Sequence, residues 1–271
     1  MGEETKKIYY NTTFPTEKEY NKYAENFPTD RLIKIIDGTK TGKISLNPFD
    51  ITQLRESELI NDIDTWLDNI KTLIFDLKFT YGNLRFYHDM GIPDNPHYIS
   101  PGSEGQSIQF FPLFEAQHWY NQKSFRYYAE IFISKTFSIL DNYGTLLLVS
   151  FAGFKPTIEQ QNRKHFHTIV DSLKINDNEL VNILKSIISE GNFLKVKQIR
   201  NDILHNRTPL KLRSQISVFE SSKGGISVGP NITYLNADEV LDLVKYLIND
   251  VLIKVSITLF GEEDQRKENV D

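Results

Sequence analysis

Ile199-Arg200-Asn201-Asp202-Ile203-Leu204-His205-Asn206-Arg207 is the stretch on which the reading of this 271-residue chain turns. Charged, amide and imidazole groups interrupt an apolar periodicity here in a way that packing alone does not require. In a helix, at about 100° per residue, Asn201 and His205 stand one turn apart on a shared face, while Ile199, Ile203 and Leu204 cover the side turned to a core. Arg200 lies on the flank between them, and its long stem can carry the guanidinium fork toward the imidazole. The patch combines a permanent cation with a planar donor fork, a neutral donor and acceptor, and a group that exchanges a proton near neutral pH.

The surrounding charge has a sign. From Lys195 to Arg213 the basic side chains are Lys195, Lys197, Arg200, Arg207, Lys211 and Arg213, against Asp202 as the single acid, in a chain whose net charge is -5. A basic island on a mildly acidic protein points to a local polyanion contact and away from a duplex binder coated in lysine. The plainer alternative is a basic surface helix whose histidine caps a turn or fills a gap.

Arg200-Asn201-Asp202-Ile203-Leu204-His205 resembles the R-x(4-6)-H signature of the HEPN superfamily, including the polar residue that commonly follows the arginine. The helical pattern over about residues 51–261 extends the resemblance, with the motif near the end of the third of four long helical segments. The resemblance implies an all-α helical bundle, usually paired as a homodimer, in which two motifs meet in a cleft and cut RNA without a metal. In one toxin branch of the family the motif continues as H-x-Y. Arg207 stands at that position here, so regulation through that tyrosine does not carry over.

The chain is long enough to bury a core without staples. With no cysteine, disulfides and thiolate metal centres are excluded, which suits a reducing compartment. No apolar run approaches the ~18 residues that span a bilayer, and the polar start Met1-Gly2-Glu3-Glu4 is not that of a signal peptide. A soluble cytoplasmic protein without membrane contact is therefore expected. The 13 Tyr and 18 Phe are read as core filler and interface anchors before base-stacking platforms.

Residues 1–50 read as an N-terminal arm or appendage, with a helical candidate from Thr16 to Glu25 and a strand-like run Leu32-Ile33-Lys34-Ile35-Ile36. From about Asp50 to His88, Leu59, Ile63, Trp66, Ile70, Leu73, Leu77, Tyr81 and Leu84 recur in steps of three and four, which predicts a long core helix. Met90 to Gln106 is read as a long loop. A second long helix is expected over about Ser107 to Ala152, with Phe114, Phe125, Phe132, Ile139, Tyr143 and Leu147 on its apolar stripe. His165 and His167 invite a metal reading, but residues two apart diverge on a helix and no third ligand sits at a familiar spacing, so no metal and no cofactor are expected. A helix through Leu180, Ile183, Leu184 and Ile187 breaks at Gly191-Asn192 before the motif, and Pro209 ends the pattern. A small β-hairpin is expected at about 215–235. The last helix starts at Asn236 or Asp238 and ends at Gly261, leaving a charged tail over 262–271.

The leading expectation is a metal-independent endoribonuclease with Arg200, Asn201 and His205 as catalytic residues and Lys195, Lys197, Arg207, Lys211 and Arg213 as RNA contacts. The alternative is a non-catalytic nucleotide- or RNA-binding or dimerisation module, in which Arg200 pairs with Asp202 and His205 bonds to backbone. Expected partners are RNA and a second copy of the chain, with an antitoxin or activator protein as a further class. A role in defence or toxin systems follows from family analogy alone.

Overall fold

The computed structural model describes residues 13–38, 51–94, 97–99, 108–110, 114–152, 165–173, 179–206, 208–211, 216–220, 226–230 and 234–261. Helices dominate. α1 (Glu17–Ala24) begins with a capping box: the Thr16 hydroxyl accepts the Glu19 N–H and the Glu19 carboxylate accepts the Thr16 N–H. α2 (Thr29–Asp37) occupies the run expected as a strand. Its Thr29, Leu32, Ile35 and Ile36 are buried, a three-and-four spacing that packs only as a helix, so tertiary burial overrides the β-preference of three isoleucines. Both helices pack on α3 (Ile51–Asp89), and Tyr23, Phe27, Leu32 and Ile36 join the same core as the longer helices. The approach of α1 needs Gly82, because a Cβ there would stand 2.6 Å from a ring carbon of Tyr20.

α3 is the scaffold. Ile70, Leu77, Tyr81 and Leu84 are buried on its stripe, while Trp66 and Leu73 are half-buried. The span expected as loop after Met90 carries a strand, β1 (His97–Ile99), paired antiparallel with β2 (Ile108–Phe110). The second long helix, α4, therefore starts at Ala116 and not near Ser107, and runs to Ala152. Phe125, Phe132, Ile139, Tyr143 and Leu147 are buried as expected, whereas Phe114 precedes the helix. α3 and α4 share the most extensive helix pairing.

α5 (Phe166–Ser172) crosses α4 at Gly144, where a Cβ would lie 2.7 Å from Ile169 Cδ1 and 3.3 Å from Phe166 Cα. α6 (Glu179–Ser189) and α7 (Gly191–His205) are separated by Glu190, whose extended backbone breaks the helix before Gly191. β3 (Ile216–Glu220) pairs antiparallel with β4 (Ile226–Pro230). α8 (Ala237–Tyr246) opens with a second capping box, Asn236 with Glu239, and continues through a π-helical turn, Leu247–Ile253, into α9 (Lys254–Phe260). Gly261, at φ 80°, ends it. Inside the core, Tyr143 Oη on α4 and Ser256 Oγ on α9 lie 2.7 Å apart and satisfy one another. No described helix is long and apolar enough to cross a membrane.

Candidate functional site

α7 is held at both ends and along its middle. At its start, Tyr246 Oη donates to Glu190 Oε2 at 2.8 Å, which ties the residue before α7 to the last long helix. Along the middle, Phe193, Val196 and Ile199 are buried, and the Phe193 ring lies 5.9 Å from that of Phe137 on α4. Beyond its end, Leu210 is buried, the Leu210 carbonyl accepts Gln122 Nε2 at 3.0 Å and the Pro209 carbonyl accepts the Leu235 N–H at 3.0 Å. Leu235 and the next residues are fixed in turn by Asp94. This buried carboxylate accepts the Tyr234 hydroxyl and the Ala237 N–H, and burial raises its pKa above the usual carboxylate value.

On this supported helix the motif residues fall in a graded series of exposure. Ile199 is buried, Arg200, Asn201 and Ile203 are half-buried, and His205 is exposed to solvent. Leu204, expected to face the core with Ile199 and Ile203, is 49% exposed. The helix geometry explains the difference: Ile203 stands about 40° from Ile199, Leu204 about 140°. The Arg200 fork leans toward Asn201, with Nη1 3.5 Å from Asn201 Oδ1, and its Cζ sits 5.9 Å from the centre of the Phe137 ring. Arg200 does not pair with Asp202. That carboxylate instead accepts Gln198 Nε2 at 3.1 Å and Asn206 Nδ2 at 3.0 Å. Among the described residues nothing hydrogen-bonds the His205 ring, and the residue is exposed.

The expected RNA contacts divide. Lys197 is half-buried on the side of Arg200, whereas Lys195 is exposed and stands about 140° from Arg200 around the helix. Lys211 is exposed just beyond the buried Leu210. Arg207 and Arg213 lie outside the described residues.

A cluster not assigned from the sequence adjoins Lys197. One turn along α4 from Phe137, the Asp141 carboxylate accepts the Phe166 N–H at 2.9 Å and lies 3.3 Å from His165 Nδ1. The His165 and His167 rings stack nearly parallel, 5.8 Å apart. Burial lowers the His167 pKa, and the Lys197 ammonium and His165 lower it further. No group of three or more His, Cys, Asp or Glu residues able to hold a metal occurs among the described residues. The doublet at 165 and 167 was visible in sequence, but its meeting with Asp141 and Lys197 depends on α5 crossing α4 at Gly144.

A family model described as HEPN_Cthe2314-like HEPN matches residues 66–258, which contain this whole arrangement. The chain belongs to the HEPN superfamily. No curated protein and no solved structure matches it significantly. Membership in the HEPN superfamily supports a ribonuclease-like or RNA-binding function, and the helical architecture agrees with the HEPN fold.

Proposed function

We propose that this HEPN protein is a metal-independent endoribonuclease whose reaction centre is Arg200, Asn201 and His205. The observation that carries the reading is that an exposed imidazole and an arginine fork braced by Phe137 and Asn201 occur within two turns of one anchored helix. In RNA the 2′-OH is an internal nucleophile beside the scissile phosphate, so the protein has only to move protons and hold charge. The 2′-oxygen attacks phosphorus, its proton passes to a base, the P–O5′ bond breaks and the 5′-oxygen takes a proton from an acid. The products are a 2′,3′-cyclic phosphate and a 5′-hydroxyl.

His205 is the proton-transfer group in this scheme, Arg200 stabilises the charge that grows on the phosphoryl oxygens, and Asn201 orients the fork. One motif supplies one imidazole, so a homodimer that brings two motifs together provides both acid and base. The same reading takes the chain as a HEPN-type bundle of four long helices with the 215–235 hairpin as an insertion, acting in the cytoplasm. A defence or toxin setting, with an antitoxin or activator as partner, is the biological context that fits it.

The test is incubation of the protein with single-stranded RNA in EDTA, beside His205→Ala and Arg200→Ala, with analysis of the product ends. Cleavage by the parent alone, leaving 2′,3′-cyclic phosphates and sparing the DNA of the same sequence, is the expected result. RNA bound but left intact by the parent would instead favour a non-catalytic binding module.

A further inference from the structure

The reaction centre occupies only one end of the polar surface of α7. Toward the helix start, Lys197 stands one turn before Arg200, and on α4 Asp141 stands one turn beyond the Phe137 ring that underlies Arg200. These two displacements lead to one place, where α5 brings in the stacked His165 and His167. Lys197, Arg200 and His205 thus follow one another along α7, with His167 within electrostatic reach of the Lys197 end. Along α7 the offset from Lys197 to Arg200 is three residues, a rise of about 4.5 Å.

Resting on the ribonuclease reading above, we propose that His165, His167 and Lys197 form a second phosphate subsite, which binds the RNA phosphate next to the one held by Arg200. The chemistry of the cluster fits an anion. Lys197 brings a positive charge and its ammonium donors, His167 can offer one N–H to a phosphate oxygen, and His165 can offer its Nε2 edge when protonated. Asp141 takes the Nδ1 side of His165 and the Phe166 N–H, which fixes the ring and leaves the Nε2 edge for a ligand. At His167 the Lys197 charge and His165 disfavour the protonated ring, opposed by the Asp141 and Asp171 carboxylates. A phosphate entering between Lys197 and His167 relieves that repulsion and brings its own charge to favour the imidazolium form. The subsite also gives the strand a direction, because only one neighbour of the scissile phosphate falls on the Lys197 side of Arg200.

The test uses the full chain carrying His205→Ala, so that RNA is bound without being cut, and a fluorescent single-stranded RNA oligonucleotide. Adding Lys197→Gln or His167→Gln is expected to weaken binding about tenfold each. The Lys197 change should also reduce the slope of log affinity against log salt by about 0.7, the loss of one phosphate contact on a single strand. Melting temperatures measured alongside separate this from misfolding, and Lys197→Arg, which keeps the charge, should restore most of the affinity. Parent-like affinity and salt slope in both Gln variants would overturn the subsite while leaving the ribonuclease reading intact. Failure of the His205→Ala protein itself to bind RNA, with no cleavage by the parent, would overturn both.

Discussion

The guanidinium of Arg200 lies 5.9 Å from the centre of the Phe137 ring, joining the motif helix to the central α4 through a cation and an aromatic face. The contact restricts a side chain that carries about 2 kcal/mol of rotamer freedom. Phe137→Leu keeps apolar volume but removes the ring. It should lower cleavage while costing under about 1.5 kcal/mol of stability, as read by RNA turnover and urea unfolding of the same samples.

Exposure sets the expectation for His205. An exposed ring without hydrogen-bond partners among the described residues contributes little packing, so His205→Ala should shift stability by less than about 0.5 kcal/mol. Its effect on cleavage should be a loss of a hundredfold or more, typical of an acid-base group. A melting temperature lowered in step with activity would show the residue to be structural.

Arg200→Lys should not rescue Arg200→Ala. The ammonium retains the charge but loses the planar fork and the stacking geometry over Phe137. Single-turnover cleavage by the two variants should be reduced to a similar extent, and near-parental rates for Arg200→Lys would show that charge alone suffices.

His167 gives the protein an acid sensitivity of known sign. Its pKa is depressed, chiefly by burial and then by Lys197 and His165, with Asp141 and Asp171 acting in the opposite sense. A depressed histidine binds fewer protons folded than unfolded. Its contribution to stability is therefore complete above the ordinary imidazole value of about 6.5 and is lost as pH falls through the folded value. Urea midpoints followed from about pH 7.5 down to about pH 5 should fall more steeply for the parent than for His167→Gln. Parallel curves would remove the claim that the ring is neutral in the fold.

Asp94→Ala tests the support beneath the motif. It deprives both the Tyr234 hydroxyl and the Ala237 N–H of their acceptor, and should destabilise the protein by about 2 kcal/mol or more by chemical denaturation.

The parts of this molecule legible in its sequence are those determined by neighbours along the chain. The stripe through Ile70, Leu77 and Leu84, the stop at Gly261 and the same-face placement of Asn201 and His205 depend only on local geometry. α2 reads as a strand in the sequence because a run of isoleucines is apolar in either secondary structure, and only burial against α3 decides between them. The π-helical turn at Leu247–Ile253 leaves no trace in periodicity, since seven residues are too few to distinguish its pitch from an α-helix. At the site, Arg200 and His205 announce themselves, but Phe137, Asp141 and His167 lie 63, 59 and 33 residues before Arg200, and only the crossing of α5 over α4 assembles them.

The bonds that pin Pro209, Leu210 and Leu235 have an evolutionary consequence. Lys211 and Tyr234 adjoin these anchored points, and of the span between them the β3–β4 pair is described. Doubling such a span costs only about 0.6 kcal/mol of closure entropy. A change of length there would therefore leave Arg200 and His205 in place, which makes it a natural place for new recognition to be grafted beside the proposed centre.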